Sequence, residues 1–292
     1  MTTGESVLHP GANLAHRQTV NVVMRGTVSA ASAVAILPLL LVLGFILVNG
    51  AAGLSLDLVT QLPGPVGEAG GGMANAFLGT LVLIVLASAL ALPVGILAGI
   101  YLAEFGHNAF GHTLRFLTDV LTGIPSIVVG IVAYTLVVIP MQGFSALAGG
   151  VALAIIMIPT VTRTTEEALK RVPLTVREAA LALGVHEWKT TLLVVVPAGL
   201  GGIVTGVMLG IARIAGETAP LLFTAFGSRF WPTGLTGPIA AVPLQIFQYA
   251  IAPYQDWHRQ AWAAALLLMV LVLSLNMGVR LATRTGFQRE QR

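Results

Sequence analysis

The chain has 292 residues, of which 56% are hydrophobic and only 9% charged, where an ordinary soluble domain carries about 25% charged residues. The apolar residues come in blocks longer than a soluble core needs. This excludes a soluble enzyme, a disordered chain and a nucleic-acid binder, and fits an all-α polytopic membrane protein. The net charge of +3 is mild, and the absence of cysteine removes disulfides, thiolate metal sites and cysteine catalysis.

A bilayer core takes about 20 mostly apolar residues per helix. Six segments qualify in chain order: 28–48, 76–102, 117–139, 147–162, 192–215 and 261–281. The first is longer than the 7–15 apolar residues of a signal peptide, and Asn49-Gly50-Ala51-Ala52 is a weak cleavage site, so it reads as an uncleaved helix. Residues 1–27 and 282–292 are then terminal tails flanking one membrane domain, 28–281. Placing the N-terminus inside puts Arg17, Arg25, Arg115, Arg163, Lys170, Arg171, Arg177, Lys189, Arg280, Arg284, Arg289 and Arg292 on the cytoplasmic side. Only Arg229 and Arg259 fall outside. The positive-inside rule therefore predicts that both termini are cytoplasmic.

The third span contains Pro125, which frees a backbone carbonyl and kinks the helix. Ser126 either repairs that kink or lines a path with its hydroxyl. Arg115 and Asp119, four residues apart, read as an interfacial ion pair.

The cytoplasmic loop 164–191 holds a dense charge cluster. Arg163–Glu167 and Glu166–Lys170 are spaced i,i+4, so the fourth span continues as a helix until Pro173. Thr175-Val176-Arg177-Glu178 has the form of a capping box, and Gly184 supplies a left-handed closing residue. Small residues at Ala179, Ala180 and Ala182 allow a close approach. The residues alone leave two readings, a self-packed hairpin or a helix that docks on a cytoplasmic partner.

In the fifth span Arg213 sits one turn before Glu217. An arginine at mid-membrane costs about 2.5–3.5 kcal/mol on insertion scales, so such residues face a bundle interior or a wet path. The pair either pins helices together or forms an anion site, for which a guanidinium fork is suited. Glu217 would repel a bare phosphate; it would instead hold Arg213 while the path is empty and then accept a hydrogen bond from a protonated phosphate oxygen. Arg163 is a second candidate cation, with pairing to Glu167 the plainer reading. The outer loop 217–259 interleaves aromatics with prolines and predicts a cap with short helices, including 243–250. The six histidines form no ligand cluster, which argues against a metal site, and there is no P-loop.

Glu178-Ala179-Ala180, three residues, Gly184, nine residues and Val194-Val195-Val196-Pro197 resemble the E-A-A-x3-G-x9-I-x-L-P signature of ABC importer permeases. Val194 and Val196 are conservative departures from it. Residues 158–167, 212–220 and 123–130 resemble phosphate-specific members of that family. The resemblance implies a type I permease fold with six spans in the bacterial inner membrane. It implies a homologous second permease, a cytoplasmic ATPase dimer carrying ATP and Mg, and an extracytoplasmic phosphate-binding protein. The chain itself would bind no cofactor and no nucleic acid, and its remaining neighbour is membrane lipid. Arg163, Arg213 and Glu217 carry over as transport-linked residues, and Glu178, Ala179, Ala180 and Gly184 as the ATPase-coupling loop. The rival readings are a permease for another oxyanion such as sulfate or molybdate, an ATP-independent channel or carrier, and a membrane scaffold.

Overall fold

The computed structural model describes residues 11–68 and 70–290, with side chains for residues 14, 16–68, 70–274 and 276–278. The outermost parts of the expected tails, 1–10 and 291–292, lie outside the described residues, as do the side chains of Arg280, Arg284, Arg289 and Arg292. The chain divides into two units, 1–49 and 50–292. The first consists, in its described part, of the body of α1 (Gly11–Ala52), a continuous apolar helix with Pro38 inside it. It contains the expected span 28–48 but begins inside what the sequence presents as a tail.

The second unit is mostly helical in its described residues, with irregular stretches at 61–73 and 226–241. In chain order it holds α2 (Asp57–Thr60), α3 (Ala74–Glu104), α4 (Ala109–Gly123), α5 (Ser126–Ala133), α6 (Ile139–Met141) and α7 (Ala146–Lys170). Then come α8 (Leu174–Ala182), α9 (Glu187–Thr190), α10 (Val196–Ala215), α11 (Ala219–Thr224), α12 (Val242–Ala250) and α13 (Gln255–Glu290). At 1.5 Å per residue, the 31 residues of α3 run about 46 Å, ample for a bilayer. Among the described residues five helices are long and apolar enough to cross a membrane, and six if a bent pair counts as one span.

That bent pair is the third span, and it differs from the straight 117–139 helix of the sequence reading. α4 and the helix from Ser126 to Met141 meet at 103°. The proline ring disfavours the helical region for the residue before it, so Ile124 is extended (ψ 130°), and Pro125 follows with ψ 134°. Two successive extended residues turn a kink into a break. Ser126 repairs nothing, because it opens the next helix.

Two further prolines act differently. A five-residue π turn covers Tyr134–Val138 ahead of Pro140, and another covers Thr191–Val195 ahead of Pro197. Each proline lacks the N–H that the helix requires at that position, and the wider turn upstream absorbs the mismatch without ending the helix.

Among the candidate spans α7 is the most buried. α3 covers it on one side, where Gly95 meets Val161 and Gly99 meets Thr165. On another side Gly199, Gly206 and Gly210 of α10 meet Leu169, Thr164 and Met157. Added β-carbons at Gly199 and Gly210 would approach those residues to 2.7 Å and 3.2 Å. Close packing through glycine is the usual way for helices to associate in lipid, where no hydrophobic force drives them together. The central core gathers Leu83, Ala87, Leu153, Met157, Val161 and Ile214.

The start of α7 is pinned by Ser145, whose hydroxyl accepts from the Ala148 N–H as an N-cap. It also lies against the α11–α12 segment, where the backbone N–H groups of Ser145, Ala146 and Leu147 bond the carbonyls of Thr224, Gly237 and Leu235. That segment contains the short helix expected at 243–250, observed as α12 and held by a bond from the Val242 N–H to Thr80 Oγ1 (2.8 Å). Stacked Tyr249 and Trp257 rings, 4.4 Å between centroids, close this cap.

Candidate functional site

At the far end of α7 the loop behaves in part as its residues foretell. Arg163 Nε lies 3.4 Å from Glu167, and Lys170 Nζ lies 2.6 Å from Glu166, both at i,i+4 spacing. The helix stops at Lys170, and Pro173 serves as the N-cap of α8. The capping box does not close. α8 begins at Leu174 with no side-chain cap bond, so Thr175 is already inside the helix. The proline ring and an extended ψ of 141° give Pro173 the cap geometry first.

The C-terminus of α8 follows the sequence reading. Gly184 is left-handed (φ +77°), its N–H bonds Leu181 O, and the Val185 N–H bonds Ala180 O. This is a Schellman closure, and it rather than crowding demands the glycine, since a β-carbon there would meet nothing within 4 Å. Ala180 is buried, whereas Glu178, Ala179 and Gly184 are exposed. Leu181, Leu183 and Trp188 are exposed beside them, Leu183 at 85%. Glu178, Ala179 and Gly184 thus sit on an outward tip with exposed apolar neighbours, while Ala180 packs inward.

The ionic network at this end differs from the sequence reading. Arg115 does not pair with Asp119. Its Nε donates to Glu166 Oε1 at 2.7 Å, and its terminal nitrogens donate to the carbonyls of Gly106 (2.8 Å) and Leu102 (2.6 Å). Asp119 instead lies 3.8 Å from Arg163. The break at Pro125 lets α4 lie across the ends of α3 and α7, which places Arg115 against a carboxylate 51 residues away in sequence. Glu166, with its side chain 2% exposed, holds Arg115 and Lys170 together, and Arg163 lies 3.8 Å away. Sequence reasoning missed Glu166 as a hub, although its i,i+4 spacing to Lys170 was a signal.

Arg213 stands in the last turn of α10, where a cation is favoured by the helix dipole. Its Nε is 3.9 Å from Glu217 Oε1, and Nη1 donates to Thr160 Oγ1 of α7 at 3.4 Å. Both contacts are long. Arg213 keeps 38% of its side chain exposed and Arg163 keeps 47%, while Glu217 is more enclosed at 17%. Thr160 precedes Arg163 by one turn of α7, so Arg213, Thr160 and Arg163 follow one open face of the α7–α10 pair. Below them a groove of about 600 Å³ runs between the two helices, lined by Thr164, Glu167 and Arg171 on one side and Gly202, Thr205 and Leu209 on the other. Thr160 was not singled out from sequence. Ser126 is half-buried at the start of α5, with no described contact to Arg213, Glu217 or Arg163. A smaller cavity of about 250 Å³ lies in the cap beside Arg229, Gln245 and Tyr249, where burial pushes the Tyr249 phenol above its ordinary value. Among the described residues no group of histidines and carboxylates is placed to hold a metal ion.

Residues 95–284 match the family of binding-protein-dependent transport system inner membrane components. The chain belongs to that family. Family members similar to it include the phosphate transport system permease protein PstA of Yersinia pestis, 48% identical over 80% of this chain and 79% of that protein. The PstA of Haemophilus influenzae is 41% identical over 91% of this chain and 94% of its own length. The fold also resembles a chain of the inward-facing MetNI methionine ABC transporter, with a TM-score of 0.57, 18% identity and coverage of 73% of this chain and 93% of that one. The all-α importer-permease fold read from the sequence is therefore the observed one, with five spans or six by the treatment of the broken third.

Proposed function

We propose that this chain is the membrane-spanning permease subunit of an ATP-driven importer that carries inorganic phosphate inward across the bacterial inner membrane. The observation that carries the reading is the loosely held Arg213 on an open helix face, with Glu217 behind it and the Thr160 hydroxyl beside it. The choice of phosphate is supported by the names of its relatives.

The chemistry follows from the geometry. A dihydrogen phosphate arriving from outside meets the Arg213 fork, which donates paired hydrogen bonds. It competes with two long contacts, so little is lost in releasing them. Glu217 Oε1 then accepts a hydrogen bond donated by a protonated phosphate oxygen, an interaction unavailable to a fully ionised sulfate. Thr160 offers a further hydroxyl, and Arg163 lies further along the exit. Ser126 would face the same path from the broken span.

The other half of the path is a homologous second permease. Two cytoplasmic ATPase subunits carry the ATP and Mg, one receiving the exposed tip at Glu178, Ala179 and Gly184. An extracytoplasmic phosphate-binding protein delivers substrate to the cap around α11 and α12. Both termini are cytoplasmic in this reading, which the distribution of lysine and arginine supports. ATP binding shifts the assembly between inward-open and outward-open states.

The test is labelled phosphate uptake, with sulfate as control, in cells lacking this chain and complemented by wild type, Arg213→Gln or Glu178→Arg. Phosphate-selective uptake restored by wild type and by neither variant at equal expression is the expected result. Impaired sulfate uptake with unchanged phosphate uptake would move the assignment to another oxyanion. Uptake insensitive to ATP depletion would replace the importer by a channel or carrier.

A further inference from the structure

Immediately before Glu178, Arg177 points the other way. Its Nη2 lies 2.7 Å from Glu104 Oε1, and its Nε donates to both carboxylate oxygens, at 3.3 Å and 3.1 Å. The remaining donors reach the backbone, Nη2 to Leu169 O at 2.9 Å and Nη1 to Val172 O at 2.5 Å. The side chains are only 16% and 10% exposed. One guanidinium therefore ties together three pieces of chain: the last residue of α3, the end of α7 and the middle of α8.

Each tie answers a local need. The final carbonyls of a helix lack an i+4 donor, and of the two reached here Val172 O lies just past the end of α7, while Leu169 O also accepts from the Arg171 and Val172 N–H groups. A carboxylate at a helix C-terminus is disfavoured by the dipole, and Glu104 closes α3. Arginine alone among the cations has enough donors, in a fixed planar fork, to satisfy all of these at once. An apolar patch backs the contact, formed by Ala103 of α3, Leu169 of α7, Val172 and Val195.

Neighbouring residues on a helix point about 100° apart. Arg177 thus grips the membrane helices while Glu178 and Ala179 face outward. We infer that the Arg177–Glu104 pair is a brace that makes α8 move as one body with α3 and α7, so that displacement of the exposed tip reaches the helix bearing Thr160 and Arg163. Arg177 is a positioning residue, with no contact to substrate. The inference rests on the proposed reading that α8 receives an ATPase, but not on which anion is carried.

The chain has no cysteine, so the brace can be replaced by a covalent one. The complete transporter, with second permease, ATPase and binding protein, is reconstituted in vesicles, and phosphate moved per ATP hydrolysed is measured. Arg177→Gln is expected to lower Tm but still assemble and hydrolyse ATP, while the ratio falls about tenfold, within the roughly 5–150-fold range of coupling between distant sites. Arg177→Lys keeps the charge but cannot make the fork, and it stays low. The double variant Glu104→Cys, Arg177→Cys is read before and after a short bis-maleimide crosslink in the same preparation, and the crosslink restores the ratio. An unchanged ratio in Arg177→Gln overturns the brace, and so does a lowered ratio that crosslinking leaves unrestored. Failure of every variant to assemble would reduce the pair to a folding role. Wild-type vesicles that hydrolyse ATP without moving phosphate would remove the proposed function instead.

Discussion

The two ends of the α7–α10 pair treat their charges in opposite ways. At one end Glu166 holds Arg115 and Lys170, and Glu104 holds Arg177, at 2.6–2.7 Å, and each of these carboxylates is nearly enclosed. Around Arg213 the contacts stretch to 3.4 Å and 3.9 Å, and the guanidinium is open. Enclosed charges are strongly destabilising when one partner is removed, so they mark where helices are locked. A loosely paired charge on an open face contributes little to stability and leaves its donors available to a ligand. The comparison separates charges that lock helices together from one whose donors stay open.

The largest expected effect comes from breaking the enclosed end. Glu166→Ala leaves Arg115 and Lys170 without their shared carboxylate and should cost about 3–5 kcal/mol, read as loss of folded protein in detergent or a sharply lowered Tm. A Glu166→Ala protein that melts with wild type would show that the network is dispensable. Next is the glycine seam. Gly206→Leu drives a side chain into Thr164 and should cost about 1–3 kcal/mol by separating α7 from α10, with a lowered Tm as the measure.

A smaller effect sharpens the difference between caps that form and caps that only read as caps. Ser145→Ala removes an observed N-cap bond and should cost about 1 kcal/mol, whereas Thr175→Ala should change Tm negligibly because its box never closes. At the open end the stability effect should vanish. Arg213→Gln should stay within about 0.5 kcal/mol of wild type while abolishing phosphate uptake. An Arg213→Gln protein destabilised as much as Glu166→Ala would assign the arginine to packing.

What could be read from the residues was local or periodic. The i,i+4 pairs Arg163–Glu167 and Glu166–Lys170 form because helical spacing dictates them, whereas Arg213 meets Glu217 at 3.9 Å although Glu217 lies past the end of α10. The left-handed Gly184 and the short helix α12 follow from turn chemistry close in sequence. The Arg115–Asp119 pair obeyed the same spacing and was lost, since Glu166 offers Arg115 a more enclosed partner once α4 folds across. The capping box at Thr175 was lost to a neighbour two residues earlier. In both cases a correct local preference yielded to a stronger competitor.

Apolar block length by itself determined an all-α membrane chain, and residue spacing determined the extended α7 and the signature loop. Only the tertiary structure decided that Glu166 is a hub, that Arg177 reaches Glu104 and that Thr160 attends Arg213. These depend on partners 51, 73 and 53 residues apart, brought together where glycine lets helices touch. Spacing along one helix is set by its own geometry, but a contact between helices exists only after the whole bundle has packed.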